Sequence, residues 1–468
     1  MIHLSAAQQA AVEQMCAGQL TEAQARALYS QGPEAVTFAL LKLSAAVRAA
    51  QTPGPSTPSG MVPAYLKPKT SRRAKPPGQK NGHPGTRRGR PEVIHQRQQH
   101  RLAACPDCGT PLGPPSEFRT RITEDIPEAI QPVVTEHTIG RTWCPTCAKL
   151  VEAPVDAALP QATIGNHLLA LTAWLHYGLG NTIAQIIAVL SCHLHFQLTP
   201  GGLVGMWHRL AELLAGWYEA IAEEARASAV LHGDETGWRV CGQTNWLWCF
   251  TNSRLTLYLI DACRGSPVLL RFFAEEFGGT LITDFWGAYN RLVVAARQVC
   301  LVHLFRDMET VEQRHDTSAD WPAFRKLLRR LLRDALRLKR REELGSAHFV
   351  ALKERLARRL DDILATVWLN GNARRLCKRL RRHRGEVFTF LEQSEVSADN
   401  NHAEREIRPA VIMRKNILGN RSRNGARTQA ILMSVYRTLK LRGHDPIKTI
   451  AAAIGAYLRT GTMPPLPE

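Results

Sequence analysis

The chain has 468 residues, with 60 Lys or Arg against 41 Asp or Glu and a formal net charge of +19. A hydrophobic content of 44% over that length supports a soluble, globular protein of three or more structural units, which excludes a disordered or fibrous one. The positive surplus calls for a polyanionic partner, nucleic acid before membrane, because it is not gathered on one amphipathic surface helix.

The opening residues, MIHLSAAQQAAVEQ, have neither a basic nor an apolar targeting stretch, so no signal peptide is expected. Eleven cysteines, an odd number, fit a reducing cytoplasm and argue against a disulfide framework. Residues 1–50 have helical composition, broken at SQGPE, and read as a packing or oligomerisation unit. Residues 51–100 form a Pro-rich basic linker: from Lys67 to Arg90 there are nine Lys or Arg and no acid. Such a segment cannot bury a core, and Arg72, Arg73, Lys75, Arg87 and Arg88 are its candidate DNA contacts.

Residues 101–160 carry CPDC at Cys105 and Cys108 and CPTC at Cys144 and Cys147, with 35 residues between the pairs. Each turn presents two thiolates, and two turns complete a tetrahedral four-sulfur site for one structural Zn²⁺ in a zinc ribbon. The intervening FRTRITEDIPEAIQPVVTEHTIGRTW reads as extended strands. A closed set of four cysteines leaves no open coordination position, so the ion would hold a fold and not catalyse.

Residues 161–228 read as helical. The most apolar stretch, Leu168 to Leu190, is interrupted by His176, Asn181 and Gln185, which favours a buried helical pair over a membrane span. Around Thr199, Pro200 and Gly201 two helices meet, either as a DNA-reading helix-turn-helix or as a simple packed hairpin.

From residue 229 the character changes. AVLHGDETGWRV, NWLWCFTN and LTLYLIDA predict an antiparallel strand meander. A helix SPVLLRFFAEEF, a strand GGTLITDFWGAYN, a helix RLVVAARQ and a strand-helix junction VCLVHLFRDM follow. The order β-β-β-α-β-α-β matches a ribonuclease H-like fold by analogy. The expected class is multidomain α+β: a ribonuclease H-like mixed α/β core over 229–310 and 396–445, an all-helical insertion over 311–395, and a C-terminal tail over 446–468. Helical and zinc-ribbon modules precede the core. Between Arg325 and Arg384 the insertion sets twenty Lys or Arg against six Asp or Glu, which is +14 of the +19. Leu331, Leu332, Leu336 and Leu338, then Leu352, Leu356, Leu360 and Leu364, recur at helical spacing and predict one hidden face, with arginines left for phosphate contact on the other.

Three acids stand in special settings: Asp234 in LHGDETGW, Asp284 in LITDFWGAY, and Glu404 near the start of the helix after the insertion. Apolar strands flank both aspartates, so an ionised carboxylate there is costly unless something positive balances it. Two Mg²⁺ or Mn²⁺ ions are the simplest balance, and such a pair promotes in-line phosphoryl displacement. Taken singly, Asp284 reads equally as a cap of the following helix, Asp234 as a partner of backbone amides and Glu404 as the i, i+4 partner of Arg408; these readings compete with metal binding.

The basic GQKNGHPG segment, CPDCG and CPTC, GDETGWRV, TDFWGAYN, CLVHLFRD and DNNHAEREIRPAVIMRKN together resemble the insertion sequence 66 family of bacterial DDE transposases. The resemblance implies that Asp234, Asp284 and Glu404 form a catalytic, metal-binding triad. It also implies cleavage at element ends to expose a 3′-hydroxyl, then strand transfer into target double-stranded DNA. A homo-oligomer on DNA, possible small companion proteins from the same element, and a cytoplasmic, nucleoid-associated location with no membrane partner go with it. Beside the triad, Glu235 should point to the other side of its strand and serve local hydrogen bonding. His303 is either active-site support or a satisfied core histidine, and Arg408 is a candidate support residue. Arg414 and Lys415 are candidate DNA contacts, Asn400 and Asn401 candidate caps, Cys300 a buried thiol, and Pro409 the residue that limits or kinks its helix. Two rivals stay open: a zinc-ribbon DNA-binding protein with a vestigial catalytic domain, and a structure-selective nuclease of the same fold.

Overall fold

The computed structural model describes residues 21–30, 92–123, 130–314, 320–341 and 345–468, with isolated positions between 32 and 43. Helix α1 (Glu22–Tyr29) lies in the N-terminal unit. The candidate contacts Arg72, Arg73, Lys75, Arg87 and Arg88 lie outside the described residues. The second cysteine pair sits on a hairpin of β1 (Arg141–Cys144) and β2 (Lys149–Glu152), registered Arg141 to Glu152 and Cys144 to Lys149. Among the described residues between the two pairs the expected strands are not found apart from β1, and Val133 and Val134 are 94% and 89% exposed. A strand persists only where a neighbour takes up its backbone hydrogen bonds, and among the described residues this stretch has none.

Helix α2 (Asn166–Ala173) runs through a π turn over Trp174–Gly178 toward α3 (Ile183–Leu194). Thr182 starts α3 with a capping box, exchanging hydrogen bonds with Gln185. Thr199 accepts from Gly202 N and Pro200 is the first residue of α4 (Pro200–Leu213), which leads into α5 (Ala215–Arg226). The apolar stretch thus forms the expected helical pair, α2 with its π turn and α3, and α4 and α5 complete a bundle. The bundle shares its apolar core with the sheet. One apolar cluster runs from Leu159 and Trp207 through the sheet residues Leu231, Trp248 and Tyr258 to Ile454.

The sheet contains β3 (Val230–Val240), β4 (Gln243–Thr251), β5 (Thr256–Asp261), β6 (Glu276–Thr283) and β7 (Val293–Val299), in the order β5-β4-β3-β6-β7. The first three pair antiparallel, as the meander predicts, whereas β6 runs parallel to β3 and β7 parallel to β6. Helix α6 (Ser266–Phe273) crosses between β5 and β6. RLVVAARQ, expected to be helical, is instead the edge strand β7, with Thr283 opposite Val299. Its two adjacent valines suit a pleated surface, and parallel pairing with β6 outweighs the helix preference of its alanines.

After β7 come α7 (Leu301–Gln313) and the insertion helices α8 (Trp321–Arg341), α9 (Ala347–Ala365) and α10 (Gly371–Arg382). The leucine stripes behave as their spacing predicts. Leu331, Leu332, Leu338, Leu356, Leu360 and Leu364 are buried, and Leu336 and Leu352 pack against them. The same cluster includes Ile282 and Val299, so the insertion is rooted on β6 and β7.

Helix α11 (Asn401–Ile417) returns the chain to the sheet and continues unbroken through Pro409, which therefore does not end it. Proline removes one amide donor, while burial of Ile407, Ala410 and Met413 holds the helix on both sides of it. Beyond α11, Gly419 has φ +126° because a side chain would collide with Arg239 O. This close approach lets Asn420 N donate to Arg239 O and Asn420 Oδ1 accept from Trp238 Nε1 at 2.7 Å. Helix α12 (Arg423–Leu441) covers the β5 edge, where Ser434 Oγ accepts from Tyr258 N at 2.8 Å. Residues 446–468, expected to be a tail, hold helix α13 (Pro446–Thr460) with Ile450, Ala453 and Ile454 buried. A helix that carries such an apolar face must bury it, and the following segment is fastened by Trp217 Nε1 donating to Pro464 O at 2.7 Å. No helix among the described residues is long and apolar enough to cross a membrane.

Candidate active site

Asp234 lies within β3, opposite Cys249 of β4. The parallel register pairs Val230 with Thr280 and His232 with Ile282. Carried two residues further, it brings Asp284, just past β6, level with Asp234. Asp234 Oδ1 accepts from the amide of Glu235 at 2.9 Å, and Asp284 Oδ1 accepts from the amide of Trp286 at 2.8 Å. Each aspartate thus has a local backbone partner, as the bland readings allow, and neither has a cation paired with it among the described residues.

Glu404 occupies the first turn of α11. Its position is set by Asn400, which is buried and does not cap the helix with its side chain. Asn400 Nδ2 donates to Gly233 O at 2.8 Å, its Oδ1 meets His232 Nδ1 at 3.0 Å, and its amide donates to Cys300 Sγ at 3.2 Å. The capping expected of Asn400 falls to Asp399, whose Oδ1 accepts from Asn401 N at 3.0 Å. Cys300 is fully buried.

The electrostatics report how the acids converge. The Asp234 carboxyl is held well above the usual carboxylate range, by burial first and then by the negative charges of Glu235, Asp284 and Glu404. Glu404 faces Arg306 at 3.6 Å, not Arg408, whose side chain is exposed. His303 sits among Asp284, Arg306 and Glu404, and burial depresses its pKa. Its Nδ1 is buried without a hydrogen-bond partner, while Nε2 lies 3.3 Å from Arg306 Nη1, so it is not a satisfied core histidine. Hard oxygen donors, mutual repulsion and an orphaned buried nitrogen fit a divalent cation better than they fit a dry acid cluster. Among the described residues no three of these side chains close on one point. That is compatible with Mg²⁺, which is held by one or two carboxylates and keeps several waters.

Residues 161–428 match the family model described as the IS66 transposase family, and residues 103–148 match the zinc-finger binding domain of IS66 transposases. The chain belongs to the IS66 family of transposases. Among its relatives, the uncharacterized protein y4hP of Sinorhizobium fredii is 23% identical over 388 residues, covering 73% of this chain and 68% of that protein. The uncharacterized protein y4qI of the same organism is 27% identical over 238 residues, covering 45% of this chain and 43% of that protein. The chain thus spans less than half of one of these relatives.

Family membership directs attention to the residues around the acids. Glu235 turns away from Asp234 into its own network, as strand alternation predicts. Its Oε1 accepts from Arg264 Nη2 at 3.0 Å and its Oε2 accepts from Tyr289 OH at 2.9 Å. Burial first, and the charge of Asp284 second, push its pKa up to about 7. Arg264 is stacked between the rings of Trp246, at 4.5 Å, and Trp286, at 4.0 Å. On the other side of Asp284, Phe285 lies under Arg379 of α10 at 4.9 Å and edge-on to His383 at 5.4 Å. Arg264, Tyr289, Arg306 and Arg379 had no signal in local sequence, since each works across a distance in the chain. The GDETGW and TDFWGAY motifs could have hinted at them only by their excess of aromatics.

The remaining candidates divide. Arg414 is drawn inward: its Nη1 donates to Thr236 Oγ1 at 3.0 Å and to Gly237 O. It fastens α11 to β3 and is not a free phosphate contact, whereas Lys415 is exposed. On α4, His208 contacts Thr428 Oγ1 at 2.7 Å and Arg209 donates to Pro160 O at 2.7 Å, leaving Gly201, Gly202, Gly205 and Glu212 outward. That surface suits packing better than base reading. In the zinc-finger segment the cysteines form two separate pairs and not one group of four. Hydrogen bonding, chiefly from the Thr110 hydroxyl, brings the Cys108 thiol down to about 7, and bonds from Cys147 lower Cys144. One thiol in each pair is therefore biased toward the thiolate that zinc requires. All ten described cysteines are free.

Proposed function

We propose that this chain is a DNA transposase with a ribonuclease H-like core, in which Asp234, Asp284 and Glu404 are the catalytic acids. The observation that carries this reading is that carboxylates from β3, the end of β6 and the first turn of α11 lie near enough to act on one another, the Asp234 carboxyl being raised by burial first and then by Glu235, Asp284 and Glu404. The strand order β5-β4-β3-β6-β7, antiparallel on one side of β3 and parallel on the other, supports the fold.

The three acids would hold two Mg²⁺ or Mn²⁺ ions, which when bound activate the attacking hydroxyl and stabilise the departing oxygen in an in-line displacement at phosphorus. The chain's own residues do the rest. Asn400 and Arg414 fix α11 on β3 and so set where Glu404 reaches. Arg306 and His303 lie where the phosphate would enter, able to meet its charge and orient it. Two Cys-x-x-Cys turns would bind one Zn²⁺ and present the zinc-finger segment to DNA. Terminal inverted repeats are the proposed substrate, and joining two ends calls for more than one copy of the chain.

The test is Mg²⁺-dependent cleavage and strand transfer on duplexes carrying the element's ends, using the full chain. Asp234→Asn, Asp284→Asn and Glu404→Gln should each abolish both steps while leaving DNA binding intact. Full activity in Glu404→Gln would overturn the assignment. Cleavage without joining of pre-cut ends would point to the nuclease, and binding without cleavage by the unaltered chain to the vestigial regulator.

A further inference from the structure

The insertion carries most of the surplus charge, yet its cations are not equivalent. On α8, Arg330 and Arg337 lie 4.0 and 3.5 Å from Asp334, which also takes Arg359 of α9 at 2.9 Å. Helix α10, GNARRLCKRLRR, contains no acid at all. One of its faces is apolar and buried through Leu376, Cys377 and Leu380. The opposite face exposes Arg374, Arg375, Lys378 and Arg382, of which Arg375, Lys378 and Arg382 follow at intervals of three and four residues and are therefore in line along the helix. Arg374, nearest the helix start, lies in the field of Asp320, which leaves Arg375, Lys378 and Arg382 as a run with no carboxylate paired to it among the described residues. Between the two faces Arg379 turns inward, pairing with Asp307 at 2.7 Å and covering Phe285, the residue after Asp284. The exposed run thus starts one side chain away from the candidate active site.

We propose that the exposed face of α10 is a track for the phosphate backbone of duplex DNA, and that it holds the strand flanking the scissile phosphate. The inference rests on the transposase reading and extends it to a named surface. A line of cations without an acid among them suits a line of phosphates, and long flexible side chains on a helix flank carry no base selectivity. The contact is accordingly independent of sequence. Arg379, joined to both α10 and Phe285, is the link that keeps track and acids in register.

The experiment measures binding of the full-length protein to a duplex without divalent metal, over a range of salt concentrations. Each phosphate contact contributes about 0.9 to the slope of log K against log salt. Arg375→Gln, Lys378→Gln and Arg382→Gln together should therefore lower its magnitude by about 2–3. A control variant, Lys326→Gln with Arg333→Gln and Arg340→Gln, removes three exposed cations from α8 and should leave the slope unchanged. An unchanged slope in the α10 variant, or an equal fall in both, would overturn the track, the latter showing a general effect of net charge. Unaltered protein that fails to bind duplex DNA would instead sink the transposase reading itself.

Discussion

Arg264 lies with its guanidinium 4.0 Å from the ring centre of Trp286, whose own amide donates to Asp284. The same guanidinium is the partner of the buried Glu235, next in sequence to Asp234. One cation thereby braces the neighbours of two acids that come from different strands.

Removing that cation leaves Glu235, whose side chain is 2% exposed, without its counter-charge. Arg264→Ala should cost about 3–5 kcal/mol of stability, the usual penalty for orphaning a buried charge. Adding Glu235→Gln should recover most of the loss. Urea unfolding of the two variants checks this, and equal stability of single and double variants would refute it.

Asn400→Ala deletes the bond to Gly233 O and the contact with His232 Nδ1, both buried. A loss of about 1–3 kcal/mol is expected. Because the same side chain sets the start of α11, cleavage should fall further than the stability change alone explains, read as activity at a temperature where the variant is fully folded.

His176 is buried, stacked on Trp207 at 4.8 Å, with Nδ1 2.7 Å from Asn181 O. Burial lowers its pKa below the ordinary value of 6.5. A histidine held neutral in the folded state takes up its proton more readily when unfolded. Its contribution is complete above pH 6.5 and is lost as the pH falls from there toward the depressed value. His176→Phe should flatten the decline in melting temperature over that acid range, and an unchanged profile would exclude His176 as its source.

Neither apolar cluster includes a residue from the zinc-finger segment before Leu159. Purified protein should carry one zinc per chain, and Cys105→Ser or Cys144→Ser should lose it. Chelation should then abolish DNA binding by that segment while the main melting transition stays in place. A collapse of the main transition would mean that the core depends on the ion.

How much of this was legible beforehand depends on the range over which each residue acts. Strands β3, β4 and β5 and the leucine stripes of the insertion follow from local periodicity, which survives because one face of each element must be buried. The local sequence of β7 favours a helix, because its strand identity comes from the neighbour β6 and not from its own alanines. Asp234 and Asp284 stood out as charges in apolar strands. Arg264 and Tyr289 did not, since they reach Glu235 from 29 and 54 residues away and look ordinary in their own surroundings. Asn400 was misread for the same reason: an asparagine at a helix start is commonly a cap, and only the nearby β3 backbone makes it a strut.

The bond from Asn400 to Gly233 joins positions 167 residues apart and closes over the whole insertion. At a synthesis rate of about 5–20 residues per second, roughly 10–30 s separate the appearance of the β3 acid from that of the residues that complete its surroundings. For the last 120 residues of that stretch, from Asp284 to Glu404, a growing chain holds both sheet aspartates without Glu404. Glu404 can therefore join the two aspartates only on a chain whose helical insertion has already been made.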